Sequence, residues 1–277
     1  MHLSDLHFGH VDHATLQPLA DAVVQIHPDL LTVSGDLTQR ARIAQFKQAR
    51  AFLDSLPSPQ IVVPGNHDLP LDNPFLRISR PLARFQRYVS RDLSPSYIDD
   101  EIAVLGLNTT RRMLATNGRL NAAQMRIMEK HFAVVPNRSI KVVVTHHPFD
   151  LPKGLGEHQL VGRSRMAMEA FAKSRVDVFL SGHLHLTRTG STARYEIAGY
   201  ETLVIQAGTA TSTRRRGETN SFNVLRIEEH ELRVETHAWQ EKHHIFKLAQ
   251  SRSFRRTAPE SISGPEVIWK GWQEIPS

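Results

Sequence analysis

Hydrophobic and polar positions along the chain follow two periods. The apolar, largely β-branched runs at residues 30–33, 61–63, 142–144 and 178–180 are too short for helices and carry no polar alternation. They predict strands buried on both faces. Between them, residues 14–26, 43–53, 122–133 and 164–174 place apolar side chains at helical spacing. A further set of strands is predicted over 102–107, 202–206, 222–227 and 232–236. The last two flank Glu228, Glu229 and His230 and read as an antiparallel hairpin. Strands alternating with helices give α/β layering. The expected organisation is a two-sheet α/β domain over residues 1–237, followed by a basic tail, 238–277, that Trp239, Trp269 and Trp272 pack back onto it. Residues 70–80 and 150–163 read as surface loops.

Composition changes this picture in three ways. The 277 residues are 40% hydrophobic, enough for a substantial core, yet no apolar run approaches the roughly 18 residues a membrane span needs. No charged segment and apolar stretch precede the first motif, so a signal peptide is not expected. Cysteine is absent, which removes disulfides, thiolate ligands and cysteine nucleophiles together and agrees with a cytoplasmic location. The net charge of +6 and pI of about 9.8 favour anionic partners: phosphates, nucleic acid or acidic lipid surfaces.

The candidate chemistry lies in the histidines. Four of the predicted strands, and the short apolar start of the chain, each run into a short polar cluster: Asp5-Leu6-His7, Gly35-Asp36, Gly65-Asn66-His67-Asp68, His146-His147 and Gly182-His183-Leu184-His185. The carboxyl ends of strands in an open α/β sheet share one crevice, so the five clusters are expected to converge. Gly35, Gly65 and Gly182 each precede a ligand-type residue, where a sharp turn or close backbone approach is required. Alternate residues of an extended segment face one way, so Asp-x-His and His-x-His aim both members at the crevice. Imidazole, carboxylate and amide oxygen suit metal ions of intermediate hardness. Seven such side chains exceed what one four-coordinate ion uses, which points to two ions sharing an aspartate bridge.

Any one of these clusters alone is an ordinary turn or cap; their order and their strand context carry the inference. Together they resemble the calcineurin-like metallophosphoesterases, whose pattern is Asp-x-His, Gly-Asp, Gly-Asn-His-Asp/Glu, a later histidine and Gly-His-x-His. Every element is present between residues 5 and 185: Asp5/His7, Asp36, Asn66/His67/Asp68, His146 and His183/His185. The resemblance implies the family's fold, a two-sheet β-sandwich flanked by helices in four αββα layers. It implies two ions of manganese, iron or zinc. One is held by Asp5, His7, Asp36 and His185, the other by Asp36, Asn66, His146 and His183, with Asp36 as the bridge. A hydroxide between the ions then attacks phosphorus. The matching family histidine makes His67 a transition-state stabiliser or general acid, with Asp68 orienting it. Only Met1–Leu3 precede Ser4, whereas the family's first strand usually has more apolar residues, so either the sequence starts inside that strand or the strand is short.

Within the family, the Ser4–Gly9 opening and the Gly35–Thr38 segment resemble the cyclic-nucleotide phosphodiesterase branch, which includes glycerophosphodiesterases. That implies a phosphodiester hydrolase acting on a small phosphate ester such as a 3',5'-cyclic nucleotide. The alternatives are a glycerophosphodiesterase, a phosphomonoesterase or a nuclease. Nucleic acid is not favoured as a partner, because no coiled-coil insertion or partner-binding extension is visible. A non-enzymatic interaction module would normally have lost ligands, and none is missing. For substrate contacts, Asn108 lies just past a strand, and Arg214, Arg215 and Arg216 end a glycine- and hydroxyl-rich segment beginning at Gly208. That segment reads equally as an anion-binding loop or as a solvated charged one. His10, His13, His147 and His158 are expected outside the coordination sphere, and His243 and His244 on the surface.

Overall fold

The chain builds its first sheet from three parallel strands, β1 (His2–Leu3), β2 (Leu31–Val33) and β3 (Gln60–Val62), joined through α1 (His13–Ile26) and α2 (Ile43–Asp54). Two short helices follow, α3 (Pro74–Ser79) and α4 (Ala83–Tyr88). The second sheet is then laid down by β4 (Ser96–Ile98), β5 (Ile102–Gly106), α5 (Ala122–Ala133), β6 (Ile140–Val144), α6 (Ser164–Ser174), β7 (Val178–Ser181), β8 (Arg188–Ser191) and β9 (Leu203–Gln206). The chain returns to the first sheet with β10 (Ser221–Ile227), β11 (Glu231–Gln240) and β12 (Ile245–Arg256). A two-stranded ribbon of β13 (Glu260–Ser261) and β14 (Val267–Ile268) precedes β15 (Trp272–Ile275). This computed structural model describes residues 1–277 apart from 114, 115, 153, 215, 216, 229, 258, 259, 262–266, 269, 270 and 277, with the main chain alone at 158, 260, 261, 267 and 268.

The strand orders are β15-β12-β11-β10-β1-β2-β3 and β4-β5-β6-β7-β9-β8. The sheets pack face to face over one apolar layer to which both contribute, Val63, Leu232 and Phe254 from the first and Val142, Leu180 and Ile205 from the second. A second layer buries Leu19, Val23 and Phe46 of α1 and α2 against Leu3, Val33 and Phe222. A third buries Met128, Phe132, Met168 and Phe171 of α5 and α6 against Leu105, Val143 and Phe179. Side chains of β6 alternate between these layers, Val142 and Val144 inward and Val143 outward, so the strand is apolar throughout. This is the expected four-layer αββα architecture. Local signals agree with it: Asn121 accepts from Gln124 N (3.0 Å), and Gln124 reaches back to Asn121 N (3.2 Å), so α5 opens on a capping box.

Two expectations need correction. Residues 70–80 are not all loop: Asn73 caps α3 by accepting from Leu76 N (2.8 Å), and Pro74 at the first helical position has no N–H to satisfy. Residues 245–256 form a twelve-residue strand that periodicity did not reveal. Only Phe254 of β12 is buried, and the strand carries Lys, Gln, Ser and Arg, so apolar alternation is absent. Of the three tryptophans, Trp239 packs on Phe246 (5.3 Å between ring centroids), and Trp272 Nε1 donates to Asp177 O (3.0 Å); Trp269 lies outside the described residues.

Candidate metal centre

The parallel strands of both sheets end at one place. Asp5 and His7 follow β1, Asp36 follows β2 and Asn66 follows β3, while His146 follows β6 and His183 and His185 follow β7. All seven expected ligands therefore meet, but at the seam where two packed sheets end rather than in the crevice of one sheet.

The aiming device also differs from the strand alternation expected. Asp5 (φ 54°), His7 (φ 50°), Asp36 (φ 53°), His183 (φ 72°) and His185 (φ 58°) all adopt left-handed backbone. Each such residue costs about 1–3 kcal/mol and persists only where its surroundings over-determine it. Here they do. Asp5 N donates to Gly35 O (3.1 Å), His7 N to Asp36 O (2.9 Å) and Phe8 N to Leu37 O (2.8 Å), so the loops after β1 and β2 run locked together. Leu6 and Leu184, between the paired ligands, are fully buried. The apolar residue drives into the core, and its two neighbours turn toward the site.

Asp36 joins two groups of donors. Its Oδ2 lies 3.7 Å from His7 Nε2, and its Oδ1 lies 3.4 Å from His146 Nε2. On the first side, Asp5 Oδ1 sits 3.5 Å from His7 Nε2 and 3.3 Å from His185 Nε2. On the second, Asn66 Oδ1 lies 3.1 Å from both His146 Nε2 and His183 Nδ1. Ring tautomers are fixed from outside: His146 Nδ1 donates to Ser34 O (2.8 Å) and His185 Nδ1 to Arg214 O (2.9 Å). Their Nε2 lone pairs therefore point inward.

The result is a buried set of acceptors turned on one another. Asp5, His7, Asp36 and His146 are 0–1% exposed, and among the described residues Asp5 Oδ1 and His7 Nδ1 have no hydrogen-bond partner. Burial acts to raise the Asp5 and Asp36 pKa values, but the neighbouring imidazoles hold both below the usual carboxylate range. Burial acts to lower His146, yet Asp36 pushes it up to about 9. A proton bound there takes the place of a cation, so these residues fit a positive ion of the type their donors predict. Gly65 and Gly182 make the approach possible: a Cβ on the first would strike Asp36, and on the second Ser4 Oγ and Asp5 Oδ2.

At the mouth, His67 and His183 are half-buried rather than sealed. The His67 ring stands edge-on to His7, with centroids 5.0 Å apart. It donates from Nδ1 to Gln39 O (2.9 Å), and its Nε2 lies 3.0 Å from Arg214 NH1. Asp68 does not orient this ring as expected. Its carboxylate accepts from Gly65 N (2.9 Å), Thr38 N (2.9 Å) and Leu37 N (3.2 Å), knitting the two ligand loops beneath the site. Asn108 closes its own turn by accepting from Thr110 N (2.8 Å). Arg214 does reach the site, whereas Arg215 and Arg216 lie outside the described residues.

His147 groups with His146 and His183 as a possible metal-binding set. Both its ring nitrogens are engaged, Nδ1 with Thr109 Oγ1 (2.7 Å) and Nε2 with Thr116 O (3.0 Å), so it is a packing residue. His10 and His13 are exposed, as are His243 and His244; the His158 side chain lies outside the described residues. Sequence reasoning missed the supporting hydroxyls. Ser4 Oγ donates to Asp5 Oδ2 (2.5 Å), Thr209 Oγ1 to Asp5 O (2.7 Å) and Thr211 Oγ1 to Leu6 O (2.7 Å). For Thr209 and Thr211 the signal was the hydroxyl-rich run itself.

Residues 1–186 match the sequence model of the calcineurin-like phosphoesterases, and the chain belongs to that family. It is 26% identical over 163 residues to the 3',5'-cyclic adenosine monophosphate phosphodiesterase CpdA of Escherichia coli (strain K12), covering 57% of this chain and 54% of that protein. It is 36% identical over 93 residues to the glycerophosphodiester phosphodiesterase GpdQ of Enterobacter lignolyticus, covering 29% of this chain and 32% of that protein. The match thus spans about half the length of the first relative and a third of the second. The fold is similar to that of the purple acid phosphatase PPD1 from yellow lupin, with a TM-score of 0.67 and 14% identity over 91% of this chain and 52% of that one.

Proposed function

We propose that this chain hydrolyses phosphodiesters with a pair of metal ions. One is held by Asp5, His7, Asp36 and His185, the other by Asp36, Asn66, His146 and His183. The observation that carries the reading is Asp36, whose two oxygens face separate donor groups, Oδ2 toward His7 and Oδ1 toward His146. Two such ions supply a water-derived nucleophile at neutral pH and a positive seat for a phosphate.

The remaining chemistry falls to residues at the mouth. His67 is neutral at rest, with Nδ1–H on Gln39 O and Nε2 accepting from Arg214. Burial lowers its pKa first, and His7 and Arg214 act in the same direction. A phosphoryl oxygen entering the site draws the guanidinium off Nε2, and the freed lone pair is then able to take up a proton from solvent, favoured by the charge of Asp36, and pass it to the leaving alkoxide. The names of the two curated relatives support a diester substrate, with 3',5'-cyclic nucleotides and glycerophosphodiesters as the first to test. A phosphomonoesterase is the second reading, favoured by Arg214 itself, because a dianion gains more from a guanidinium than a monoanion does.

The test is metal analysis and turnover together. Purified protein is expected to hold two ions per chain, and Asp36→Asn to lose at least one of them and its activity on every phosphoester offered. Two tightly held ions and normal turnover in Asp36→Asn exclude the bridge.

A further inference from the structure

The segment leaving the candidate centre carries more arginine and more exposed apolar surface than the fold requires. Between Pro70 and Arg91 the chain has five arginines and one carboxylate, Asp72. Arg84 is used internally, donating to Asp72 Oδ1 (3.0 Å) and Ala41 O (2.8 Å). Arg80, Arg87 and Arg91 instead line a shallow concavity of about 780 Å³ whose lining, among the described residues, contains no acid.

Beside it stands an apolar projection. Phe75 is 81% exposed, Met113 76%, Ile78 54% and Leu71 46%. Phe75 and Ile78 lie three apart on α3 and share a face. Met113 is brought to them by two bonds: Arg112 NH1 donates to Ile78 O (2.9 Å), and Arg77 Nε to Arg112 O (3.0 Å). Single exposed apolar residues are ordinary, but a contiguous group rimmed by cations marks a contact surface. Arg77 also donates to Pro70 O (3.4 Å), which ties the surface to the loop bearing Asn66–Asp68.

We propose that this surface adsorbs to anionic phospholipid bilayers, with Phe75, Ile78 and Met113 entering the interface and Arg80, Arg87 and Arg91 meeting the headgroups. Charge complementarity selects the occupant. A zwitterionic surface offers the arginines nothing, and a second copy would bring like charge against like. Apolar insertion and basic residues act as two signals, each weak alone, whose combination gives reversible binding that is sensitive to salt. The inference does not depend on the phosphoester reading.

The experiment is flotation of the full chain with phosphatidylcholine vesicles, with and without about one-third phosphatidylglycerol, at low and high salt. Binding is expected only to the anionic vesicles, and salt should release it. Replacing Phe75, Ile78 and Met113 by Ser, or Arg80, Arg87 and Arg91 by Glu, should each weaken it by roughly tenfold or more. The substituted side chains lie outside the core, and unchanged circular dichroism and thermal midpoint serve as the folding control. Equal binding to both vesicle types, no binding, or wild-type binding by either triple variant overturns the proposal. So does a wild-type dimer in sedimentation velocity that the serine variant splits, because the surface is then covered by a second copy.

Discussion

Arg214 bonds the candidate centre at two points. Its NH1 lies 3.0 Å from His67 Nε2, while its own carbonyl accepts from His185 Nδ1 (2.9 Å). The side chain therefore governs the mouth, and the main chain fixes a buried donor. Substitution separates the two, because Arg214→Ala keeps the carbonyl. That variant is expected to keep its metal content and lose turnover. In a double-mutant cycle with His67→Ala, the losses should fall short of additive by about 0.5–3 kcal/mol, as for residues in direct contact. Additive losses would mean that the guanidinium and the imidazole act independently.

His67 tests the acid role by leaving group. His67→Ala should retain both ions and lose roughly 10²–10⁴-fold in kcat on esters with poor leaving groups, the range for general acid–base work. An activated aryl diester needs little protonation and should suffer less. Equal losses on both would assign His67 to substrate positioning, and loss of metal would make it a ligand.

The glycine before His183 gives a steric test. A Cβ at Gly182 falls on Ser4 Oγ and 2.5 Å from Asp5 Oδ2. Gly182→Ala is expected to destabilise by about 1–3 kcal/mol, the cost of overpacking, and to weaken metal retention at Asp5. Ser4→Gly in the same chain should restore part of both, read as thermal midpoint and bound metal. Absence of any rescue would show that Ser4 yields freely and that the conflict lies with Asp5 alone.

These residues also show what was legible beforehand. The seven donors could be read because each stands beside a glycine or a histidine, or one residue away from another donor, close behind an apolar run, and the four αββα layers because strands and helices alternate at distinct periods. Their aiming was not legible. Left-handed backbone at Asp5, His7, Asp36, His183 and His185 is imposed by hydrogen bonds between loops far apart in sequence, such as His7 N to Asp36 O. The same holds for Asp68, whose partners Thr38 and Leu37 lie a whole helix away in sequence. Strand β12 escaped for a different reason, since a strand with Phe254 alone buried carries no alternation to detect.

His147 sets a pH dependence on stability. Burial, with His183 and His146 acting the same way, holds its pKa well below the ordinary histidine value. The ring is thus neutral in the fold and takes up its proton only on unfolding. A depressed folded pKa contributes stability that is present above pH about 6.5 and is lost as the pH falls below it. Gln in its place can still serve Thr109 and Thr116 but does not titrate. Urea unfolding of metal-free protein should therefore show His147→Gln losing less stability than wild type between pH 7 and 5, by roughly 2 kcal/mol. Parallel pH profiles would mean that the wild-type ring is protonated in the fold.

Substrate charge decides between the two functional readings, and Arg214 is the residue on which they divide. A phosphodiester carries one negative charge and an alkoxide that profits from protonation by His67. A monoester dianion profits more from the guanidinium. In the resting site the guanidinium is engaged with His67 Nε2, so drawing it off delivers both effects to a diester at once, a clamp and an Nε2 free to take up and deliver a proton. We expect kcat/KM for an aryl diester to exceed that for the matched monoester. Arg214→Ala should lower both, by roughly 10²-fold as for loss of one preorganised donor, without reversing their order. A wild-type preference for the monoester that vanishes in Arg214→Ala would place the clamp above the acid and make the chain a phosphatase.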